Sequence, residues 1–126
     1  MGVLALRGAI TIDADDPTEI AKRTTEMLQV LFDRNSLHVD DVVSILFTAT
    51  SDLRSFPPAA AARTFGLVDV PLLCAQEMDV EGSLARCIRL MLHVETDRPR
   101  SDLRHVFLRG ATALRPELAE PGDEEF

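Results

Sequence analysis

Within Cys87-Ile88-Arg89-Leu90-Met91-Leu92, one guanidinium interrupts a run that otherwise reads as buried strand. Desolvating an arginine among such neighbours is costly unless an anion meets it. The fold must therefore bring to this strand either an internal acid or a pocket for a negatively charged small molecule. Alternation puts Arg89 on one strand face with Cys87, Met91 and His93, and Ile88, Leu90 and Leu92 on the other. Upstream, Cys74-Ala75-Gln76-Glu77-Met78-Asp79-Val80 sets a thiol and a carboxylate at the end of a second apolar segment.

Hydrophobic periodicity supplies the rest of the frame. Residues 3–12 read as a first strand, with Val3, Ala5, Arg7 and Ala9 on one face and Leu4, Leu6 and Ile10 on the other. Small neighbours leave space beside Arg7. Asp15-Asp16-Pro17-Thr18-Glu19 is a helix start: Asp16 caps, Pro17 suits the first helical position and Glu19 lies three residues after the cap. Ile20, Met27, Leu28, Leu31 and Phe32 then form one apolar stripe to about Arg34, with Asn35 as terminator. Further strands are expected at 41–50, near 70–75, at 87–95 and at 105–108. A short helix opens at Pro57-Pro58 and ends at Gly66. The predicted class is α+β, a mixed sheet of about five strands with one long helix and short helical turns. One long helix covers only one sheet face, so the other is expected to pack against further copies of the chain.

With 126 residues the chain fits one domain. Its formal net charge of −8 argues against non-specific binding to nucleic acid or an anionic membrane. Part of that charge lies in the Pro/Gly/acid-rich end, so residues 1–118 are expected to form the domain and 119–126 a mobile acidic tail. Lys22 is the only lysine against twelve arginines, so almost every cation is a planar, bidentate donor. Two cysteines thirteen positions apart make neither a disulfide framework nor a zinc pattern. There is no signal-like or membrane-length apolar run. A reduced cytoplasmic protein is the expectation.

Two strand arginines, Arg7 and Arg89, on faces that cannot be wholly solvated suit a clamp for a dianion. The competing reading is a structural ion pair from Arg89 to Glu77 or Glu95. Cys74 with Glu77 suits a base and nucleophile, or a pair of partners for a bound hydroxyl; a cysteine alone is more often an inert buried thiol. His38, His93 and His105 are each solitary, which argues against a metal site, and His105 reads as structural. No Ser/His/Asp set, cofactor lysine or nucleotide fingerprint is visible. An enzyme built from these residues works by positioning and electrostatics.

Leu6-Arg7-Gly8-Ala9, Thr48-Ala49-Thr50-Ser51-Asp52-Leu53, Val70-Pro71 leading to Cys74–Val80, Cys87-Ile88-Arg89, Arg104-His105-Val106-Phe107-Leu108 and Leu114-Arg115-Pro116 occur in one order across residues 3–118. Together they resemble the monofunctional bacterial chorismate mutases of the trimeric pseudo-α/β-barrel class. The resemblance implies conversion of chorismate to prephenate, on the route to phenylalanine and tyrosine, without cofactor or metal. It also implies a homotrimer with active sites between subunits.

Carried onto this chain, the resemblance makes Arg89 the donor to the breaking ether oxygen and Arg7 a carboxylate ligand. Glu77 becomes the acceptor for the ring hydroxyl, with Cys74 assisting. Leu73, Cys74, Ala75, Gln76 and Phe107 would line the pocket. Phe56, Ala59 and Arg63 would come from a neighbouring subunit, while Leu114 and Arg115 would close the site. The chain departs from the family pattern in three places: Phe107 stands where a tyrosine is common, Ala60 where a charge is common, and Phe56 falls one place early. Two rivals remain open, a small trimeric imine deaminase and a non-catalytic sensor of anionic metabolites.

Overall fold

A computed structural model describes residues 2–126. Five strands form one mixed sheet in the order β3-β2-β4-β1-β5. They span Gly2–Thr11 (β1), Val42–Ala49 (β2), Leu72–Gln76 (β3), Cys87–Thr96 (β4) and Val106–Leu108 (β5). Central β4 runs antiparallel to both β1 and β2, whereas β3 and β5 join the edges as parallel strands. Two α-helices, Pro17–Asn35 (α1) and Pro58–Phe65 (α2), and five short 3-10 turns accompany the sheet among the described residues, and the class is the α+β one predicted.

The long helix forms where its signals stand. The Asp16 carboxylate accepts from Glu19 N–H at 3.0 Å, satisfying a donor the first turn cannot use internally. The left-handed residue that ends it is Ser36, φ 50°, one place after the expected terminator. Asn35 is instead the last helical residue and fully buried, because its side chain has partners elsewhere in the fold.

Both helices lie on the same sheet face. Ile20, Met27, Leu28 and Leu31 pack over Leu6, Ile10, Ile45, Phe47, Ile88, Leu90 and Leu92 as one core. Each fully buried side chain of this size contributes roughly 1.5–3 kcal/mol. Phe32 and Phe65 meet edge to face, centroids 5.2 Å apart, and fasten α2 to α1. Close approach of α1 depends on Gly8, where a Cβ would sit 3.2 Å from Leu90 Cγ and 3.4 Å from Met27 Sδ. The residue preceding that contact is Arg7.

The opposite sheet face carries neither α-helix; only the short 3-10 turn Arg109–Leu114 packs at one end of it, through Ala111, among the described residues. Val3, Leu46, Leu73 and Met91 are each more than a third exposed there. Within the single chain β2 is covered on one face, leaving Val43 and Leu46 more than a third exposed. The acidic end, expected to be mobile, is docked in this structure. Asp123 is 1% exposed and sits 2.5 Å from Arg34 of α1, because a buried carboxylate there finds a guanidinium waiting. Arg34 and Arg104 also lie near Glu120.

Candidate active site

Register lines up one row of residues across the whole open face: Phe107 on β5, Ala9 on β1, Arg89 on β4, Thr48 on β2 and Ala75 on β3. The next row carries Arg7, Met91, Leu46 and Leu73. Arg89 thus rises from the centre of the sheet between a methyl group and a hydroxyl. Arg7 stands diagonally across the β1–β4 pair. Both arginines line one cleft of about 160 Å³ with Leu46, Thr48, Leu90 and Met91.

Glu77 follows the last residue of β3, where its N–H continues the ladder by donating to Ala49 O at 2.9 Å. That anchor turns its side chain toward the row. Thr48 Oγ1 donates to Glu77 Oε1 at 2.7 Å, and the same oxygen lies 2.8 Å from Arg89 Nε. The Nε–H does not point at that oxygen and has no aligned acceptor among the described residues. The pair is therefore a charge contact that holds the guanidinium without consuming its Nε donor. An internal acid thus touches Arg89 and a cleft adjoins it.

A buried thiol lies close by. Burial pushes Cys87 up to about 11, opposed by Arg89, so it stays protonated and inert. His105 Nδ1 accepts from the backbone N–H of Arg7 at 2.9 Å. Burial, then the Arg7 and Arg115 cations, hold that imidazole below the ordinary histidine range.

The structure brings Arg7, Arg89 and Glu77 together and disperses the rest. Cys74 pairs with Phe47, one step out of phase with Arg89's row, so alternation sends its side chain to the opposite sheet face from the arginines. Leu73, Ala75 and Gln76 are exposed on the edge strand. Phe107 is 2% exposed, packed with Ala9, Cys87 and Ala111 under Leu84 and Leu114, and does not line the cleft. Phe56 is half-buried against α1, Ala59 is buried and Arg63 is exposed on α2; none of these lines the cleft. Arg115 is exposed and paired with Glu117 at 2.5 Å. Thr48 is the contact of Glu77 and Arg89 that sequence reasoning missed. Its position in a shared motif was visible, but its facing of Arg89 is a product of register.

Comparison with known proteins decides what this arrangement belongs to. The family model for chorismate mutase type I matches residues 3–118. The chain belongs to the type I chorismate mutase family. It is 42% identical over 120 residues to chorismate mutase AroH of Bacillus subtilis (strain 168), covering 94% of each chain. To chorismate mutase AroH of Thermus thermophilus it is 44% identical over 117 residues, covering 92% of this chain and 96% of the relative. The structure of a chorismate mutase from Clostridium thermocellum superposes with a TM-score of 0.86 at 44% identity, covering 87% of this chain and 98% of the other. Membership makes the chain an isomerase of the chorismate mutase kind.

Proposed function

We propose that the chain rearranges chorismate to prephenate by electrostatic preorganisation, in a trimer whose sites lie between subunits. The observation that carries this reading is the pair Arg7 and Arg89 on one open cleft, with Glu77 held against Arg89. In an intramolecular [3,3] rearrangement the breaking ether C–O bond leaves developing negative charge on oxygen, with complementary positive charge on the ring. A guanidinium fixed before the substrate arrives favours that oxygen in the transition state more than in the ground state. Glu77, oriented by Thr48, accepts from the ring hydroxyl and faces the cationic ring. Arg7 takes a carboxylate of the dianion.

The size of the cleft supports the assembly. At about 160 Å³ it falls below the roughly 300–1,000 Å³ usual for a ligand pocket. A neighbouring subunit completes it with Phe56, Ala59 and Arg63. The apolar face bearing Val3, Leu46, Leu73 and Met91 is the surface the copies share. From their own subunit the backbone of residues 73–77 adds to the walls and Leu114 with Arg115 closes the entrance, while Cys74, on the far sheet face, and the packed Phe107 support the cleft without lining it. The setting is cytoplasmic aromatic amino-acid biosynthesis.

Loss of chorismate absorbance on adding pure protein, with mass in solution measured in parallel, tests both halves. Turnover by a species of three chains is expected. Arg89→Lys and Arg89→Ala are each expected to lose about 10²–10³ in kcat, since an ammonium lacks the planar fork. An Arg89→Ala protein with the parent rate would defeat the mechanism. Binding of prephenate-like dianions without turnover would favour the sensor, and imine hydrolysis the deaminase.

A further inference from the structure

We propose that His105 is a positioning residue for Arg7, acting through its ring nitrogen on the Arg7 backbone. This rests on the reading of Arg7 as a carboxylate ligand. β5 begins only at Val106, paired with Gly8, so the Arg7 N–H lies at the open end of the β1–β5 ladder. The His105 ring supplies the missing acceptor there, at 2.9 Å. Accepting at Nδ1 places the ring proton on Nε2 and requires the neutral imidazole.

The ring is itself held from behind. Asn35, fully buried at the end of α1, grips the backbone of the preceding residue in both directions. Arg104 N–H donates to Asn35 Oδ1 at 2.7 Å, and Asn35 Nδ2 donates to Arg104 O at 2.9 Å. A third bond, from Asn35 Nδ2 to Leu31 O at 2.9 Å, locks the amide to its own helix. The helix end thus fixes Arg104, Arg104 fixes the His105 ring, and the ring fixes the strand position from which the Arg7 side chain departs. On the opposite side of β1 the sheet continues into β4, so His105 is the support on the edge side alone. A guanidinium that must meet a carboxylate in fixed geometry gains from a backbone that does not fray at that residue.

Steady-state kinetics of His105→Leu, His105→Asn, Arg7→Ala and the Arg7→Ala/His105→Leu double variant test this in the intact protein. Asparagine places an oxygen where Nδ1 stands, so His105→Asn is expected to keep KM within about twofold of the parent. His105→Leu removes the acceptor and is expected to raise KM roughly three- to tenfold with a smaller change in kcat. In the Arg7→Ala background the leucine is expected to add nothing, because the side chain it would misplace is gone. His105→Ala takes the place of leucine if leucine prevents folding.

The proposal is overturned if leucine leaves KM unchanged, if asparagine is as damaging as leucine, or if the leucine effect persists in full without the Arg7 side chain. Parent kinetics in Arg7→Ala alone would instead remove the reading of Arg7, and this proposal with it.

Discussion

Arg89 Nε lies 2.8 Å from Glu77 Oε1 while its N–H points elsewhere, so one carboxylate fixes the guanidinium without occupying that donor. If Glu77 served only as a structural counter-ion, removing it would strand a half-buried cation and cost stability first. Both partners retain some solvent, with side-chain exposures of 27% for Arg89 and 15% for Glu77, so the loss stays below the roughly 3–5 kcal/mol of a fully buried pair. Glu77→Ala is therefore expected to fold and assemble with a circular dichroism spectrum like the parent's, and to lose about 10²-fold or more in kcat. A variant that unfolded would mark the pair as structural.

Thr48 sets where the Glu77 carboxylate stands through a 2.7 Å bond. Thr48→Val keeps the side-chain volume and removes the donor. A hydrogen bond to a charged group is worth roughly 1.5–3 kcal/mol, so kcat/KM is expected to fall by about tenfold or more. The melting temperature is expected to move little. Unchanged kinetics in Thr48→Val would show that Arg89 alone orients the acid.

What the sequence made legible was local. Asp16, Pro17 and the stripe from Ile20 to Phe32 gave the long helix nearly to the residue, because a cap and a 3.6-residue period are written in adjacent positions. Arg89 announced itself because a guanidinium among Ile88, Leu90 and Leu92 has few physical excuses. What stayed hidden depended on pairing between distant segments. Thr48 meets Arg89 across 41 residues of chain, and a shift of one residue in register would have sent it to the other face. Cys74, adjacent in sequence to the site, lies out of phase with it for the same reason. His105 read as structural because nothing local shows that its ring replaces a strand partner of Arg7. The acidic tail read as mobile because Arg34, its partner, lies 89 residues away.

The two cysteines are expected to differ in reactivity. Cys74 is exposed on the edge strand, whereas burial raises the Cys87 thiol to about 11 and closes access to it. The thiolate is the reactive form, so at pH 8 Cys87 is almost wholly unreactive. Titration of the native protein with a thiol reagent is expected to show no labelling of Cys87 by peptide mass mapping, and labelling of both cysteines after denaturation. Rapid native labelling of Cys87 would mean that the Ala9–Phe107 cluster opens.

His105 also predicts the shape of the stability profile on the acid side. Its folded pKa lies below the ordinary 6.5, first through burial and then through Arg7 and Arg115. Between those two values the unfolded chain binds more protons than the folded one, so stability rises with pH through that window. As pH falls below 6.5 toward the folded value, the parent is expected to lose stability at this site. His105→Asn carries no such group. Its urea midpoint is expected to change less than the parent's between pH 7.5 and about pH 5.5, other titrations being common to both. Parallel curves would mean that the imidazole is no more neutral in the fold than outside it.

The tail gives the last expectation. Asp123 accepts from Arg34 at 2.5 and 3.3 Å and from Glu120 N–H at 2.7 Å, and is almost fully enclosed. Arg109, following β5, meets both the Phe126 carbonyl and Asp13. Asp123→Ala leaves the Arg34 guanidinium, among the described residues, with the more distant Glu120 as its acidic partner and frees the Glu120 N–H. Loss of these charge-assisted bonds is expected to cost about 1–3 kcal/mol in chemical denaturation. Because the tail packs on β5 and the turn that leads to Arg115, hydrogen exchange is expected to rise across 106–118 in the variant while α1 stays protected. Exchange confined to 119–126 would mean that the tail rests on the domain without supporting it.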